Sequence, residues 1–169
     1  MWSEFKKDYE RFTPHKFYWI PCFIRMFRNH ELRFIFWGRL NQNTSSLLIK
    51  QVSYYFLHKY RKKYGIELNF EKCGAGIRLV HPWCITVNDN CLIGRNVTLY
   101  KGCTIGSIDV GRNSGCPVLG DEVTIYANAT VCGGVTIGRG VKIAAGSFVD
   151  FNVPEGATVV GNPGKIYKH

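Results

Sequence analysis

From Ile85 onward, apolar residues return at every sixth position, and few backbone paths tolerate that spacing. Aliphatic residues occupy Val87, Ile93, Leu99 and Ile105, and again Leu119, Ile125, Val131, Ile137, Ile143 and Val149. A second register lies two residues earlier, at Ile85, Cys91, Val97 and Cys103, then Val123, Ala129, Val135 and Val141. Alternation over two or three residues is a short strand with one face inward, and repetition every six residues makes each strand end in a turn of constant length. The pattern therefore predicts a mainly β chain wound as a β-solenoid. An antiparallel sandwich is disfavoured, because its turns recur at about 8–12 residues with variable spacing. Gly94, Gly106, Gly120 and Gly138 follow register residues directly, where a turn needs positive φ or close backbone approach. One interruption, between Ile105 and Leu119, spans fourteen residues rather than twelve, so residues 107–116 are expected as a loop extruded from the coil.

The front of the chain is different material. Of 18 glycines, 17 lie from Gly65 onward, which puts a boundary near residue 64. Residues 1–64 hold 13 Lys and Arg against 4 Asp and Glu, and residues 65–169 hold 9 against 8, so nearly all of the net +10 sits in front. Helical spacing predicts three helices there: one capped by Ser3, one opening at Pro21 and running to about Leu40, and one starting at Ser45 or Ser46 and ending at Gly65. The domain plan is a basic helical segment (1–64), a β-helix (65–153) and a tail (154–169), with the helices covering the first coil and the tail closing the last.

Basic residues interleaved with Phe17, Trp19, Phe23, Phe27, Phe34 and Trp37 suit acidic lipid, a phosphorylated substrate or nucleic acid. The plainer alternative is an amphipathic layer with its aromatics packed inward. Nucleic acid rests on charge alone and is set aside; peripheral contact with the inner membrane face is kept. Arg25, Arg28, His30, Glu31 and Arg33 break the apolar stretch from Phe17 to Trp37, so no transmembrane span is expected. No signal-peptide order is visible, so the expected location is cytoplasmic. The seven cysteines form no CxxC pair and are expected as reduced, small apolar residues, with no metal site.

The hexads of the form [LIV]-G-x-x-x-x, the run GIRLVHPWCITVN (76–88), the stretch VCGGVTIGRGVKIAAGS (131–147) and the closing VVGNPGKIYK (159–168) resemble the hexapeptide-repeat acyltransferases. They are most similar to serine acetyltransferases and to capsule or exopolysaccharide O-acetyltransferases. The resemblance implies a left-handed parallel β-helix, a homotrimer, and acetyl-CoA bound in clefts between subunits as co-substrate, with no metal.

Transfer of an acetyl group to an alcohol needs a base for the hydroxyl proton, and imidazole suits it near neutral pH. His81 is the one internal histidine of the repeat region and stands where the family has its catalytic histidine. The resemblance also implies a carboxylate to orient it, best matched by Glu67 with a one-residue gap. It implies CoA contacts at Ala127 and Ala145, a phosphate contact at Lys165 and a weaker one at Lys142. Two departures concern the acceptor: Val80 precedes His81 where serine acetyltransferases carry Asp, and Gly115-Cys116 precede Pro117 where they carry Arg-His. The expected acceptor is thus a saccharide hydroxyl, with serine as the alternative and a non-catalytic scaffold as the remote one. A carbonic anhydrase would need three histidines at an interface, and the coils hold one.

Overall fold

The computed structural model describes residues 2–13 and 15–167. Four helices open the chain: α1 (Ser3–Phe12), α2 (Trp19–Arg28), α3 (His30–Asn43) and α4 (Leu47–Tyr64). Three were expected. The extra break falls at Asn29, whose extended backbone (φ −114°, ψ 108°) ends α2. Its amide and its side-chain Nδ2 both donate to the Arg25 carbonyl, at 2.9 and 3.2 Å. An Asn side chain competes for helix carbonyls in this way. Trp2, not Ser3, is the N-cap of α1, and Pro21 sits in the first turn of α2, where its missing N–H does no harm. The polar stretch 41–43 is helical because its amides find partners: Asn41 Nδ2 reaches Lys50 O and Ser53 Oγ (both 3.0 Å), and Asn43 Nδ2 reaches Glu4 and the Arg39 carbonyl. Gly65 ends α4 in the left-handed conformation (φ +63°), as its lack of Cβ permits.

Behind Gly65 the strands visit three parallel sheets in rotation. The first sheet holds β1 (Ile66–Glu67), β3 (Ile85–Val87), β6 (Thr104–Gly106), β9 (Thr130–Cys132) and β12 (Phe148–Val149). The second holds β4 (Leu92–Ile93), β7 (Val118–Leu119) and β10 (Thr136–Ile137). The third holds β2 (Arg78–Val80), β5 (Thr98–Tyr100), β8 (Thr124–Ile125), β11 (Lys142–Ile143), β13 (Thr158–Val160) and β14 (Lys165–Tyr167). Register partners such as Thr124 and Lys142 lie 18 residues apart, which is three hexads per coil. Every residue of both apolar registers is buried, so the six-residue steps fill the inside of a three-sided coil.

Three features depart from the expected layout. Leu119 stacks directly on Ile93, and Ile105 pairs with Val131, 26 residues on instead of 18. The interruption therefore holds eight extra residues, not two, and no hexad is skipped. Its loop folds on itself through an Ile108–Gly115 bridge. The parallel coil also continues past residue 153, since Thr158 and Val159 pair with Lys142 and Ile143. Only β14 is antiparallel, and it covers one edge of the last coil. Finally, Gly94, Gly120 and Gly138 serve close approach rather than positive φ. A Cβ on Gly94 would lie 2.5 Å from the carbonyl of Gly120 one coil on.

Helices and coil are joined by a buried ion pair. Arg39 of α3, fully enclosed, donates to Asp8 of α1 (2.9 Å) and to the carbonyls of Cys73 (2.8 Å) and Gly74 (2.7 Å). Asp8 Oδ1 in turn accepts the amides of Gly76 (2.6 Å) and Ile77 (2.8 Å). These bonds satisfy the polar backbone at the open end of the first coil, which would otherwise be an unpaired edge under an apolar layer.

Candidate active site along one edge of the coil

His81 stands at the turn from the third sheet to the first. It is exposed, with φ +50°, and its carbonyl accepts the Trp83 amide at 2.7 Å in a three-residue turn. Positive φ is uncommon for a residue with a Cβ, though His tolerates it better than most, and such positions gather at functional sites. Among the described residues its imidazole has no hydrogen-bond partner, which leaves both ring nitrogens available.

The later coils turn at the same level through bonds between residues three apart (Cys103 N–H to Tyr100 O, Ala129 N–H to Tyr126 O, Ser147 N–H to Ala144 O), and backbone bonds stack these turns into one edge. Gly102 N–H donates to Trp83 O (2.9 Å), Asn128 N–H to Lys101 O (3.0 Å), and Gly146 N–H to Ala127 O (3.0 Å). His81, Lys101, Ala127 and Ala145 therefore occupy successive levels of a single edge. A Cβ built on Gly146 would meet nothing within 4 Å, so the edge is open to solvent at that level. Lys165, exposed on β14, pairs in register with Val160 at the end of this edge. Lys142 is also exposed, but it lies on the third sheet, three residues before Ala145.

Glu67 is placed elsewhere. It is exposed on β1, opposite Thr86, and lines an open cleft of about 920 Å³ with Tyr54, His58, Arg61 and Cys84. His81 lines a second cleft, of about 310 Å³, formed with Asn29, His30, Glu31 and Arg78. No hydrogen bond joins Glu67 to His81 within the described residues.

Several residues near His81 escaped the sequence reading. Tyr100 pairs in register with Val80, beside His81, and its ring lies 5.0 Å from that of Tyr126 one coil on. Glu31 is buried, and its Oε1 accepts the Leu79 amide at 2.9 Å. Burial pushes its carboxyl up to about 7, against the pull of the Leu79 amide and Arg78. The signal was a lone acid opening an otherwise aromatic helix. His30 stacks on Tyr64 (4.8 Å), and burial, aided by Arg33 and Lys63, lowers its pKa.

The raised Glu31 value carries a prediction about stability. The folded chain holds this proton more tightly than the unfolded chain, so the contribution is complete below the unfolded value of about 4.5 and is lost as pH rises through about 7. Glu31→Gln should remove that slope, so that the stability difference between the two proteins shifts by roughly 3 kcal/mol between pH 4 and 8. Urea unfolding at several pH values measures it. Parallel curves for the two proteins would mean the carboxyl titrates normally.

All seven cysteines are free, and burial pushes the Cys73, Cys91 and Cys103 thiols up to about 12. No group of metal-ligating side chains is present among the described residues.

The family pattern "Bacterial transferase hexapeptide (six repeats)" matches residues 116–150. Among curated relatives, this chain is 39% identical to a serine acetyltransferase of Bacillus licheniformis over 103 residues, 60% of this chain and 48% of that protein. It is 38% identical to the serine acetyltransferase of Staphylococcus xylosus over 122 residues, 72% of this chain and 53% of that one. A solved structure titled as serine acetyltransferase in complex with CoA superposes with a TM-score of 0.67 at 27% identity, over 80% of this chain and 56% of that chain. The chain thus spans about half the length of the relatives it matches. Both relatives bear the serine acetyltransferase name, which favours that branch of the resemblance over the capsule and exopolysaccharide branch.

Proposed function

We propose that this chain is an acetyl-CoA-dependent O-acetyltransferase in which His81 is the general base, wound as a left-handed parallel β-helix and acting as a cytoplasmic homotrimer. The observation that carries the reading is the edge that stacks His81, Lys101, Ala127 and Ala145, in a chain similar over its coils to serine acetyltransferases. A structure of such a relative with CoA supports acetyl-CoA as the donor. The donor brings an activated thioester carbonyl, and the edge would hold its arm with that carbonyl beside His81. Neutral imidazole then takes the proton of the acceptor hydroxyl as its oxygen attacks, and returns it to the departing thiolate.

Serine is the acceptor that the relatives' names support best. A saccharide hydroxyl is the second reading, because Val80 and Gly115-Cys116 offer no charge to the ammonium and carboxylate of a free amino acid. Thiol release from acetyl-CoA, followed with L-serine and with a panel of sugar nucleotides and oligosaccharides, separates the two. Release with serine and not with saccharides confirms the first, and the reverse result confirms the second. Release with neither acceptor class sinks the enzyme reading.

Two residue roles belong to this reading. Lys165 is assigned to the CoA phosphates, and a charge-assisted contact of this kind contributes about 1–2 kcal/mol. Lys165→Ala is expected to raise KM for acetyl-CoA roughly tenfold with kcat unchanged; Lys142→Ala should change KM less. Glu67 is kept as the candidate orienting carboxylate, although it lines the neighbouring cleft with no hydrogen bond to His81 among the described residues. Glu67→Gln should then lower kcat about tenfold or more without changing KM. Full activity in that variant would leave Glu31, which shares the His81 cleft, as the carboxylate to test.

A further inference from the structure

The helical layer carries apolar surface that nothing in the chain covers. Along α2, Ile20, Phe23, Ile24 and Phe27 fall at helical spacing on one side and are 77, 62, 59 and 70% exposed. The opposite side of the same helix packs inward through Cys22 and Met26. Beside the exposed stripe, Phe23, Met26 and Phe27 of α2, Trp37 of α3, and Phe56 and Tyr60 of α4 line an apolar groove of about 230 Å³. A water-soluble helix normally turns such a stripe to the core, so an amphipathic helix facing outward signals an interface.

Charge decides which interface. Arg39 is sealed inside with Asp8, and Glu31 is buried, so the described helical layer has eight exposed and four half-buried Lys and Arg against exposed Glu10 and half-buried Glu4. Neither α2 nor α4 contains an acid. Lys16 and Arg28 bracket the stripe, and Lys59 and Lys63 flank Tyr60. A second copy docked on this face would set these cations against their own counterparts, which is repulsive. A bilayer surface rich in anionic lipid meets both requirements, accepting the apolar stripe between headgroups and neutralising the rim. No helix is long and apolar enough to cross a membrane, so contact would be in the plane of the surface.

We propose that α2, with the adjoining groove of α3 and α4, docks this protein on anionic membranes, burying Ile20, Phe23, Ile24 and Phe27 among the headgroups with Lys16, Arg28, Lys59 and Lys63 on lipid phosphates. The inference does not rest on the catalytic reading. Because His30 and Glu31 follow α2 directly, such docking holds the His81 cleft close to the lipid surface.

Co-sedimentation of the full chain tests this, with vesicles of phosphatidylcholine alone and of phosphatidylcholine with one quarter phosphatidylglycerol. The bound fraction should be at least tenfold larger on the anionic vesicles and should fall steeply with salt, since each basic residue near the surface contributes roughly fivefold. Ile20→Ser with Ile24→Ser should abolish binding, and Lys16→Glu with Arg28→Glu should reduce it tenfold or more. Circular dichroism should match wild type in both, because all four side chains are exposed. Equal recovery on both vesicle types, or unchanged binding by the serine variant, would overturn the proposal. So would a smaller sedimenting particle for the serine variant in the absence of lipid, which would assign the face to a second copy.

Discussion

Replacing His81 with asparagine should slow acetyl transfer by about a hundred- to ten-thousandfold, the usual contribution of a positioned general base. Asparagine is the informative substitution because it tolerates the left-handed backbone that His81 adopts, so base and turn are removed separately. Alanine lacks both properties. It should cost the same activity and, in addition, about 1 kcal/mol of stability, because a residue with an ordinary side chain is strained at φ +50°. Steady-state thiol release with saturating acetyl-CoA measures the first effect and thermal unfolding the second. A His81→Asn protein keeping more than a tenth of wild-type kcat would remove His81 from the reaction. The stacked edge would then be a binding surface only.

The largest effect on stability is expected at the ion pair beneath the helical layer. Arg39 has five hydrogen bonds within the described residues to Asp8, Gln42, Cys73 and Gly74 at 3.4 Å or less, and its side chain is closed to solvent. Arg39→Met leaves an enclosed carboxylate and two carbonyls without their donor. Removing one member of such a pair costs about 3–5 kcal/mol, more than the pair itself contributes over a well-packed apolar substitute. Burial already raises the Asp8 pKa despite the Arg39 hydrogen bond and charge, and without Arg39 it should rise further. The double variant Asp8→Asn with Arg39→Met should recover part of the loss, and the double-mutant cycle gives the coupling. Unfolding in urea reports all of these values. If Arg39→Met loses less than 1 kcal/mol, the layer is held by its aromatic packing instead, for instance by Phe34 on Phe70.

The effects differ in kind because they act at opposite surfaces of the first coil. His81 faces outward at a turn that backbone bonds hold rigid, so its loss changes chemistry and hardly changes packing. Arg39 faces inward at the coil's end, where the sequence repeat stops and its carbonyls have no next coil to bond. Side chains from α1 and α3 take the place of that missing coil.

What the sequence determined by itself was everything periodic. Two apolar registers at six-residue steps specify which side chains point inward, and the interior of a three-sided coil favours small and apolar groups, so all of them are buried. The candidate base was legible as well, since His81 is the single internal histidine of that region. Tertiary structure alone decided the aperiodic parts. The break at Asn29 depends on a side chain competing for the Arg25 carbonyl, and the eight-residue insertion is visible only once Leu119 is seen stacked on Ile93. The place of Glu67 was likewise a matter of register. A strand residue faces one cleft or the next according to pairing with its neighbour, and β1 against β3 turns Glu67 toward α4 and away from the His81 cleft. Glu31 enters that cleft from the far side of a helix boundary. Spacing along the chain carries no record of such approaches, because they are set by how the helical layer meets the end of a repeat.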